Sequence, residues 1–227
     1  AANHLIASDG VFSMDGDLAP VNELAAVARQ HDAWLMIDDA HGLGVLGKHG
    51  GGLLESCAAS LQDVPILMGT LGKALGTFGA FVAGETDLIE TLIQKARSYI
   101  YTTALPQAVA SATLASLALL DSDGWRRDKL RENIACFRQL AAQAGLQVVD
   151  SQSVIQPVLI GDVALTLHLS RTLQAEGLLV VAIRPPTVPQ GTARLRITLS
   201  ALHTQPQIER LVTVLAQALL RSKTDNE

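Results

Sequence analysis

Two hydrophobic patterns alternate along the first half of the chain. Short apolar runs predict strands at residues 3–8, 33–39, 64–70 and 79–84. The last three are continuously apolar, which is typical of buried parallel strands. Amphipathic spacing predicts helices at residues 18–32, 86–100, 106–120 and 123–143, the first with Pro20 near its first turn. Strands that alternate with helices indicate an α/β layer fold.

The same alternation returns in the second half of the chain. Strands are predicted at residues 146–150, 155–160, 178–184 and 193–200, and helices at 163–177 and 206–221. The turn-forming stretch "LLDSDG" at 119–124 separates the two halves. We therefore predict a larger domain over residues 1–120 and a smaller C-terminal α/β domain over 121–227. The polar end "SKTDNE" is expected to fray.

Composition and charge narrow the classes of partner. Hydrophobic residues make up 48% of the 227-residue chain and charged residues 17%, enough apolar material for a packed core. The net charge of −5 argues against nucleic acid as a partner. The basic residues Arg126, Arg127, Lys129 and Arg131 alternate with acids, which indicates a solvated helix face.

Neither a membrane nor a disulfide framework is indicated. The longest apolar stretch, "ALPQAVASATLASLALL", contains a proline, a glutamine and several hydroxyls, and it is shorter than the roughly 20 apolar residues that span a bilayer. Cys57 and Cys136 are far apart and form no CxxC pair. We therefore expect a reducing, cytoplasmic location.

Polar side chains follow three of the predicted strands. They are Ser13 in "DGVFSMDGD", Asp38 and His41 in "DDAHG", and Thr70 and Lys73 in "TLGKALG". Ligands of open α/β sheets bind beyond the carboxyl ends of parallel strands. If these strands are neighbours, the five side chains point into one crevice.

These residue types fit the chemistry of pyridoxal phosphate. Burial of Lys73 among glycines would favour a neutral amine, which can form a Schiff base with a carbonyl. Thr70 and the neighbouring amides could hold a phosphate. Asp38 could pair with a pyridinium nitrogen, and His41 could bond the ring's phenolic oxygen. Each residue alone also fits a structural role, such as a surface turn for Lys73, so the prediction rests on the joint pattern.

Other readings of the same stretches fail on context. Asp38 and Asp39 are adjacent, so on a strand they face opposite sides and do not form a catalytic carboxylate pair. "GLGVLG" at 42–47 follows a strand, but "KHGGGLL" comes after it rather than a helix with an acid further on, so it is not a dinucleotide fingerprint. Lys73 is followed by Ala74 where a P-loop needs Ser or Thr. No spacing of metal ligands is recognisable, and a metal site is not predicted.

Four stretches together resemble one enzyme family over essentially the whole chain. "GVFSMDGDLAP", "LMIDDAHGLGVLG", "GTLGKALGTFGAFVAG" and "YIYTTALP" resemble the α-oxoamine synthases. This resemblance implies the fold of the fold-type-I pyridoxal phosphate transferases. It also implies condensation of an amino acid with an acyl thioester.

One stretch resembles a single branch of that family. Residues 182–203, "AIRPPTVPQGTARLRITLSALH", resemble the biotin-biosynthesis branch, which joins L-alanine to a pimeloyl thioester and releases CO2 and the thiol. Two alternatives stay open. One is another α-oxoamine synthase, such as one of the glycine C-acetyltransferase type, and the other is a truncated homologue without catalysis. A plain lysine-dependent aldolase without cofactor is the least favoured reading.

The resemblance implies a role for each matching residue. Lys73 would carry the cofactor as a Schiff base and move the substrate's α-proton, and His41 would bond the phenolic oxygen. Asp38, Ser13 and Thr70 would bind the pyridine nitrogen, the ring edge and the phosphate. The further cofactor- and substrate-binding residues would be Thr102 or Thr103 on the partner subunit's phosphate, Thr187 near the substrate, and Arg196, in preference to Arg194, on the substrate carboxylate.

The resemblance also implies parts of the enzyme outside this stretch. Family members carry a substantial N-terminal portion with a histidine that stacks on the cofactor ring, phosphate-loop residues and part of the acyl-thioester site. The chain begins "AANHLIASDG", without a methionine. We therefore expect it to correspond to the later two-thirds of such an enzyme and to lack one wall of the pocket. We also expect a homodimer with a shared active site.

Overall fold

The computed structural model describes residues 4–224, with side chains described through Ser222. Contacts between Cα atoms divide this part of the chain into two compact units. The first contains the described residues through Phe12 and the stretch Leu18–Gly124. The second contains Ser13–Asp17 and the stretch from Trp125 onward. The boundary predicted at residue 120 stays a prediction.

The first unit is built on a four-stranded sheet. Its strands are β1 (His4–Asp9), β2 (Ala33–Asp38), β3 (Ile66–Thr70) and β4 (Ala80–Gly84), and its helices are α1 (Val21–Gln30), α2 (Gly52–Ser56), α3 (Thr86–Lys95), α4 (Arg97–Ile100) and α5 (Gln107–Ser122). The strand order is β1-β2-β3-β4, and β2 lies parallel to both β1 and β3. The first three strands are therefore neighbours, which was the condition set for a shared crevice. Asn3, the first residue of the first predicted strand, lies outside the described residues.

The prediction of a third parallel strand at 79–84 is wrong. β4 lies antiparallel to β3, with Thr70 opposite Ala80 and Ile66 opposite Gly84. Only residues 71–79 join the two strands, and they contain no helix that would carry the chain back to the other end of the sheet. A connection of that length places the strands side by side in opposite directions.

The core of the first unit lies between α1 and the sheet. Leu35 and Ile37 alternate along β2 and are fully buried. Val21, Ala25 and Ala28 recur at helical spacing on α1 and pack in the same cluster. By contrast, α3, α4 and α5 have no buried residue.

The second unit is an α/β unit with a fully antiparallel sheet. Its elements are α6 (Trp125–Gln143), β5 (Ile155–Gly161), α7 (Val163–Ala175), β6 (Val181–Ile183), β7 (Ala193–Thr198) and α8 (Gln205–Thr224). The strand order is β5-β7-β6, so β7 is hydrogen-bonded on both sides. Phe137, Leu173, Leu195 and Leu215 are buried in its core.

Three predictions about the second unit need correction. Residues 146–150 do not form a strand, because only an isolated bridge joins Val148 to Val158. Arg127 is 6% exposed, so it does not belong to the solvated face that Arg126, Lys129 and Arg131 share. The tail expected to fray begins inside a helix, since α8 continues to Thr224, and residues 225–227 lie outside the described residues.

No helix in the described part of the chain is long and apolar enough to cross a membrane.

Candidate active site

The carboxyl ends of β1, β2 and β3 lie at the same edge of the sheet. Asp9 is opposite Asp38, and Asp38 is opposite Met68. The backbone continues this contact past the strand ends: the N–H of Gly10 donates to the carbonyl of Asp38 at 2.7 Å, and the N–H of Asp39 donates to that of Met68 at 2.9 Å. The polar groups that directly follow β2 and β3 therefore begin at one edge of the sheet. That the five predicted side chains share one crevice stays a prediction.

Two adjacent carboxylates at this edge have different environments. Asp38 is half-buried, and its Oδ1 accepts the N–H of Ala40 at 3.0 Å. Its Oδ2 accepts no hydrogen bond within the described residues. Asp39 is 1% exposed; its Oδ2 accepts the N–H of Leu53 at 2.6 Å and its Oδ1 has no partner within that part of the chain. Burial raises the pKa of Asp39 to about 6. Asp38 can thus offer an oxygen to a ligand, whereas the carboxylate of Asp39 is buried and accepts a hydrogen bond from the backbone of Leu53.

The glycines after β2 make room for the buried carboxylate. A Cβ on Gly42 would lie 2.1 Å from Asp39 Oδ1, and one on Gly52 would lie 1.9 Å from Asp39 Oδ2. Gly42 and Gly52 are therefore required by packing. The other two glycines of "GLGVLG", Gly44 and Gly47, have φ values of +84° and +80°, so the motif is explained by the backbone without a nucleotide. His41 lies half-buried at the start of this turn, directly after the strand that ends at Asp38.

The loop between β3 and β4, residues 71–79, carries Lys73 and is called the lysine loop below. Its two ends are joined by the N–H of Leu71, which donates to the carbonyl of Gly79 at 2.8 Å. The Thr70 hydroxyl donates to the same carbonyl at 3.1 Å and accepts the N–H of Gly72 at 3.4 Å. In this structure Thr70 therefore closes the base of the loop, and a phosphate would have to compete with Gly79 for its proton.

Two hydroxyls on α5 support the lysine loop from the side. Ser116 donates to the carbonyl of Leu75 at 2.8 Å, and Thr113 donates to the hydroxyl of Thr77 at 2.9 Å. Leu75 is buried. Sequence reasoning missed these supports, although hydroxyls in the otherwise apolar stretch 104–120 were a usable signal.

Lys73 itself is exposed, which corrects the expectation that it is buried among apolar groups. Its Nζ makes no hydrogen bond or ion pair within the described part of the chain, although the N–H of Gly76 bonds its carbonyl at 3.0 Å. The backbone at Lys73 is therefore held while its amine is left without a partner.

A second group of predicted residues lies within the second unit. The Nε of Arg196 donates to the carbonyl of Ser13 at 2.7 Å, so these two predicted residues are in contact. Arg196 is half-buried, and desolvation lowers the pKa of its guanidinium. Arg194 is 5% exposed and forms an ion pair with Asp15. Asp15 has no place in the predicted site.

The remaining predicted residues are exposed and lie outside these clusters. Thr102 and Thr103 lie between α4 and α5, where the Thr102 hydroxyl contacts the Thr103 carbonyl at 3.5 Å. Thr187 lies between β6 and β7, and its N–H donates to the carbonyl of Arg184 at 3.1 Å. Within residues 4–224, no group of His, Cys, Asp and Glu is arranged to hold a metal ion.

The chain is similar to known proteins both in sequence and in structure. Residues 1–215 match the family described as aminotransferase class I and II. The chain is 63% identical over 219 residues to the 8-amino-7-oxononanoate synthase of Nitrosococcus oceani, covering 96% of this chain and 58% of that relative. It is 58% identical over 219 residues to the protein of the same name from Saccharophagus degradans, covering 96% and 55%. The chain thus spans little more than half the length of the curated relatives it matches.

Solved structures of two related enzymes share the fold. The serine palmitoyltransferase of Sphingomonas wittichii superposes with a TM-score of 0.92 at 33% identity, covering 98% of this chain and 56% of that one. The 8-amino-7-oxononanoate synthase of Francisella tularensis superposes with a TM-score of 0.86 at 32% identity, covering 97% and 64%. The predicted fold-type-I transferase class is therefore confirmed, and the chain belongs to the aminotransferase class I and II family.

Proposed function

We propose that the chain belongs to an 8-amino-7-oxononanoate synthase, which condenses L-alanine with a pimeloyl thioester to give 8-amino-7-oxononanoate, CO2 and free thiol in biotin biosynthesis. The observation that carries this proposal is the amine of Lys73, which has no partner within the described residues. It is presented on a supported loop at the sheet edge where Asp38 ends β2. The 63% identity to a relative of that name supports the same reaction.

The residues at this edge fit pyridoxal phosphate. A Schiff base needs an accessible amine, which Lys73 offers, and a pyridinium nitrogen needs a carboxylate with an open oxygen, which Asp38 offers. When bound, the cofactor supplies an aldehyde for the lysine and a ring that takes up electrons from the α-carbon of the amino acid. One solved relative, a serine palmitoyltransferase at 31% identity and a TM-score of 0.88, holds the same cofactor joined to its enzyme.

Each residue at this edge has one task in the proposed reaction. Asp38 holds a proton on the ring nitrogen through its open oxygen, and its bond from Ala40 keeps the carboxylate oriented. His41 binds the phenolic oxygen of the ring, and Thr70 binds the phosphate after it gives up its bond to Gly79. The role predicted for Ser13 at the ring edge stays a prediction. Lys73 takes the proton from the α-carbon of L-alanine and returns one at the end.

The substrates are bound by the other predicted residues. Arg196 receives the carboxylate of L-alanine, because its Nη groups make no bond within the described residues and a guanidinium binds carboxylates through two parallel bonds. Thr187 lies near the substrate, and Thr102 or Thr103 reaches the cofactor phosphate of the partner subunit. The structural likeness to a serine palmitoyltransferase favours, as a second candidate, the same chemistry with another amino acid.

The test combines a trapping step with a product assay. The chain is mixed with pyridoxal phosphate, reduced with borohydride and mapped by peptide mass, and an adduct on Lys73 is expected. In a separate sample that is not reduced, L-alanine or glycine is supplied with pimeloyl-CoA, and the amino-ketone is identified by mass. The proposed substrate predicts turnover with alanine. Turnover only with glycine favours the second candidate, an adduct without turnover favours a non-catalytic homologue, and the absence of both overturns the assignment.

The proposal includes a homodimer in the cytoplasm. The helices α3 to α5 and the turns that join them carry large apolar side chains that this chain leaves exposed, among them Leu114 at 69% and Tyr101 at 77%. Such surfaces are typical of subunit interfaces. Cys57 and Cys136 are free thiols, which fits a reducing compartment. Light scattering should give twice the chain mass for the wild type and a smaller mass for Leu114→Glu, and a monomeric wild type would contradict the dimer.

A further inference from the structure

Residues Ser13–Asp17, called the strap below, belong by contacts to the second unit although the chain on both sides of them belongs to the first. Three bonds hold the strap within the second unit. Arg196 Nε binds the Ser13 carbonyl, Arg194 Nη1 binds Asp15 Oδ1, and the Ser151 hydroxyl binds the Gly16 carbonyl at 2.8 Å.

The strap fits closely against the second unit. Gly16 has a φ of +74°, and a Cβ there would lie 2.5 Å from the Ile155 carbonyl and from the Ser151 hydroxyl. Only glycine satisfies both the backbone angle and this contact. Ser151 is itself buried and held, since the Nε2 of the buried Gln156 donates to its carbonyl at 3.1 Å. The strap is therefore seated on a fixed surface.

The two arginines that reach the strap share one strand but differ in charge balance. Arg194 and Arg196 are two positions apart on β7, so their side chains leave the same face of the sheet. Arg194 is buried, with its charge matched by Asp15 and its Nε bonded to the Thr192 carbonyl at 2.9 Å. Arg196 has only a neutral carbonyl as partner within the described residues, so its charge remains available to an anion.

The backbone of β7 cannot adjust the direction of Arg196. This strand is bonded to β5 on one side and β6 on the other, with Arg196 opposite both Pro157 and Val181. The direction of the guanidinium is therefore set by the side chain and by its bond to Ser13. The position of the Ser13 carbonyl depends in turn on the bonds that hold Asp15 and Gly16.

We infer that Asp15 and Arg194 are positioning residues, whose ion pair holds the strap so that the Ser13 carbonyl orients Arg196 toward the substrate carboxylate. This inference rests on the proposed function for the role of Arg196. Because Nε is occupied by Ser13, the carboxylate must bind end-on, through the two Nη groups. Asp15 and Arg194 are 179 positions apart in the chain and meet only in the folded structure.

The direction in which Asp15→Asn changes the KM for L-alanine separates a positioning role from simple electrostatics. Asp15→Asn removes a negative charge near Arg196 and leaves Arg194 unmatched. Coulomb attraction alone would then strengthen binding of a carboxylate and lower the KM for L-alanine. Loss of orientation predicts the opposite, a rise in KM of about tenfold, the size expected when one charge-assisted hydrogen bond is weakened.

The experiment measures orientation and kinetics on the 227-residue chain. Arginine Nε–H groups are followed by ¹⁵N–¹H correlation spectra, with the Arg196 signal assigned by its loss in Arg196→Lys. Hydrogen exchange of this Nε–H should be slow in the wild type, faster in Asp15→Asn, and again slow in Asp15→Glu, which restores the anion. With pyridoxal phosphate bound, KM for L-alanine should rise in Asp15→Asn while kcat changes little.

Two further variants, Glu176→Gln and Ser151→Ala, accompany Asp15→Asn in the experiment. Glu176→Gln, which breaks the exposed pair with Arg210, should change neither quantity. Ser151→Ala loosens the strap at Gly16 and should speed the same exchange without altering any charge. Unchanged exchange in Asp15→Asn, or a lowered KM, overturns the inference. A wild type without turnover would instead refute the proposed function, and the exchange measurement would still decide whether the strap orients Arg196.

Discussion

The lysine loop and the face of β7 that bears Arg194 and Arg196 hold their key side chains in opposite ways. In the lysine loop the supports are neutral: backbone bonds at Leu71 and Gly76, and the hydroxyls of Ser116 and Thr113. On β7 the support includes a buried charge, Arg194, matched by Asp15. The two functional groups also differ in their hydrogen bonding. The amine of Lys73 has no bond within the described residues, whereas the guanidinium of Arg196 is bonded at Nε.

This difference reflects what each group is proposed to do. An amine that forms and breaks a covalent bond must be free of strong partners, so the protein holds its backbone. A guanidinium that receives a carboxylate keeps its charge throughout, so it can be oriented by a neutral acceptor at a position the anion does not need. Substitutions in the two regions should therefore differ in kind, and the largest effect is expected at the lysine.

Substitution of Lys73 tests the lysine loop most directly. Lys73→Ala should abolish the borohydride adduct and lower turnover by about 10³-fold or more, since it removes the nucleophile and the base together. Thermal stability should be unchanged, because the exposed side chain has no partner within the described residues. Lys95→Ala, at an exposed position on α3, serves as the matched control. Retained adduct in Lys73→Ala would show that another amine reacts.

Paired substitutions on β7 separate the two arginines. Arg196→Met should raise the KM for L-alanine by about 100-fold, as expected for loss of a bidentate charge-assisted contact. Its stability should fall by only about 1 kcal/mol, for the one bond to Ser13. Arg194→Met should lower the free energy of unfolding by about 2 kcal/mol, since it breaks bonds to Asp15 and Thr192 in a buried site. Denaturant titration and amino-acid kinetics measure the two effects. If both variants changed the KM and the free energy of unfolding by similar amounts, the two arginines would not have different roles.

The buried carboxylate of Asp39 makes the stability of the folded protein depend on pH, in a direction set by its raised pKa. Its pKa is raised from 3.8 to about 6, mainly by burial. The folded state therefore holds a proton that the unfolded state has lost between about pH 4 and pH 6, so this group's contribution to stability falls as pH rises through that window. The loss should amount to about 3 kcal/mol and should level off above the folded pKa.

Comparison with Asp39→Asn isolates this contribution. The difference in unfolding free energy between wild type and variant should shift in favour of the variant as pH rises through the same window. Ser111→Ala, at an exposed position without an ionisable group, should show no such shift. A difference that does not change with pH would mean that Asp39 ionises normally in the folded protein.

The smallest effect is expected at the side supports of the lysine loop. Ser116→Ala removes the bond to the Leu75 carbonyl and should cost about 1 kcal/mol, the usual net value of one hydrogen bond. Amide exchange in residues 72–78 should become faster, while the adduct on Lys73 still forms. Ser111→Ala, on the same helix at an exposed position, is the control. Unaltered exchange in Ser116→Ala would show that the loop holds its shape alone.

Much of the first sheet and its edge was predictable from local pattern. Continuous apolar runs marked β2 and β3, and the polar residues directly after them placed Asp38, Thr70 and Lys73 at one edge once these strands proved parallel neighbours. The direction of β4 was predicted wrongly because its apolar pattern does not encode the partner strand. Its direction follows from the short connection across residues 71–79.

The burial of charged groups was the property predicted least well from the sequence. Arg127 was assigned to a solvated face, and Lys73 to an apolar environment, yet the first is buried and the second exposed. Charge alternation and glycine content describe a residue's neighbours in sequence, whereas exposure depends on which elements pack over it. Ser116 and Asp15 were missed for the same reason, since their partners lie far along the chain.

By itself, the sequence determined the order of most strands and helices, the chemistry available at the strand ends and the family. These properties depend on residue types at short spacing, which a single chain displays directly. Only the tertiary structure decided which of two adjacent aspartates is buried, which of two nearby arginines is neutralised, and that the amine of Lys73 is exposed. Those outcomes depend on desolvation and on contacts such as Asp15 with Arg194, which span 179 positions and exist only after folding.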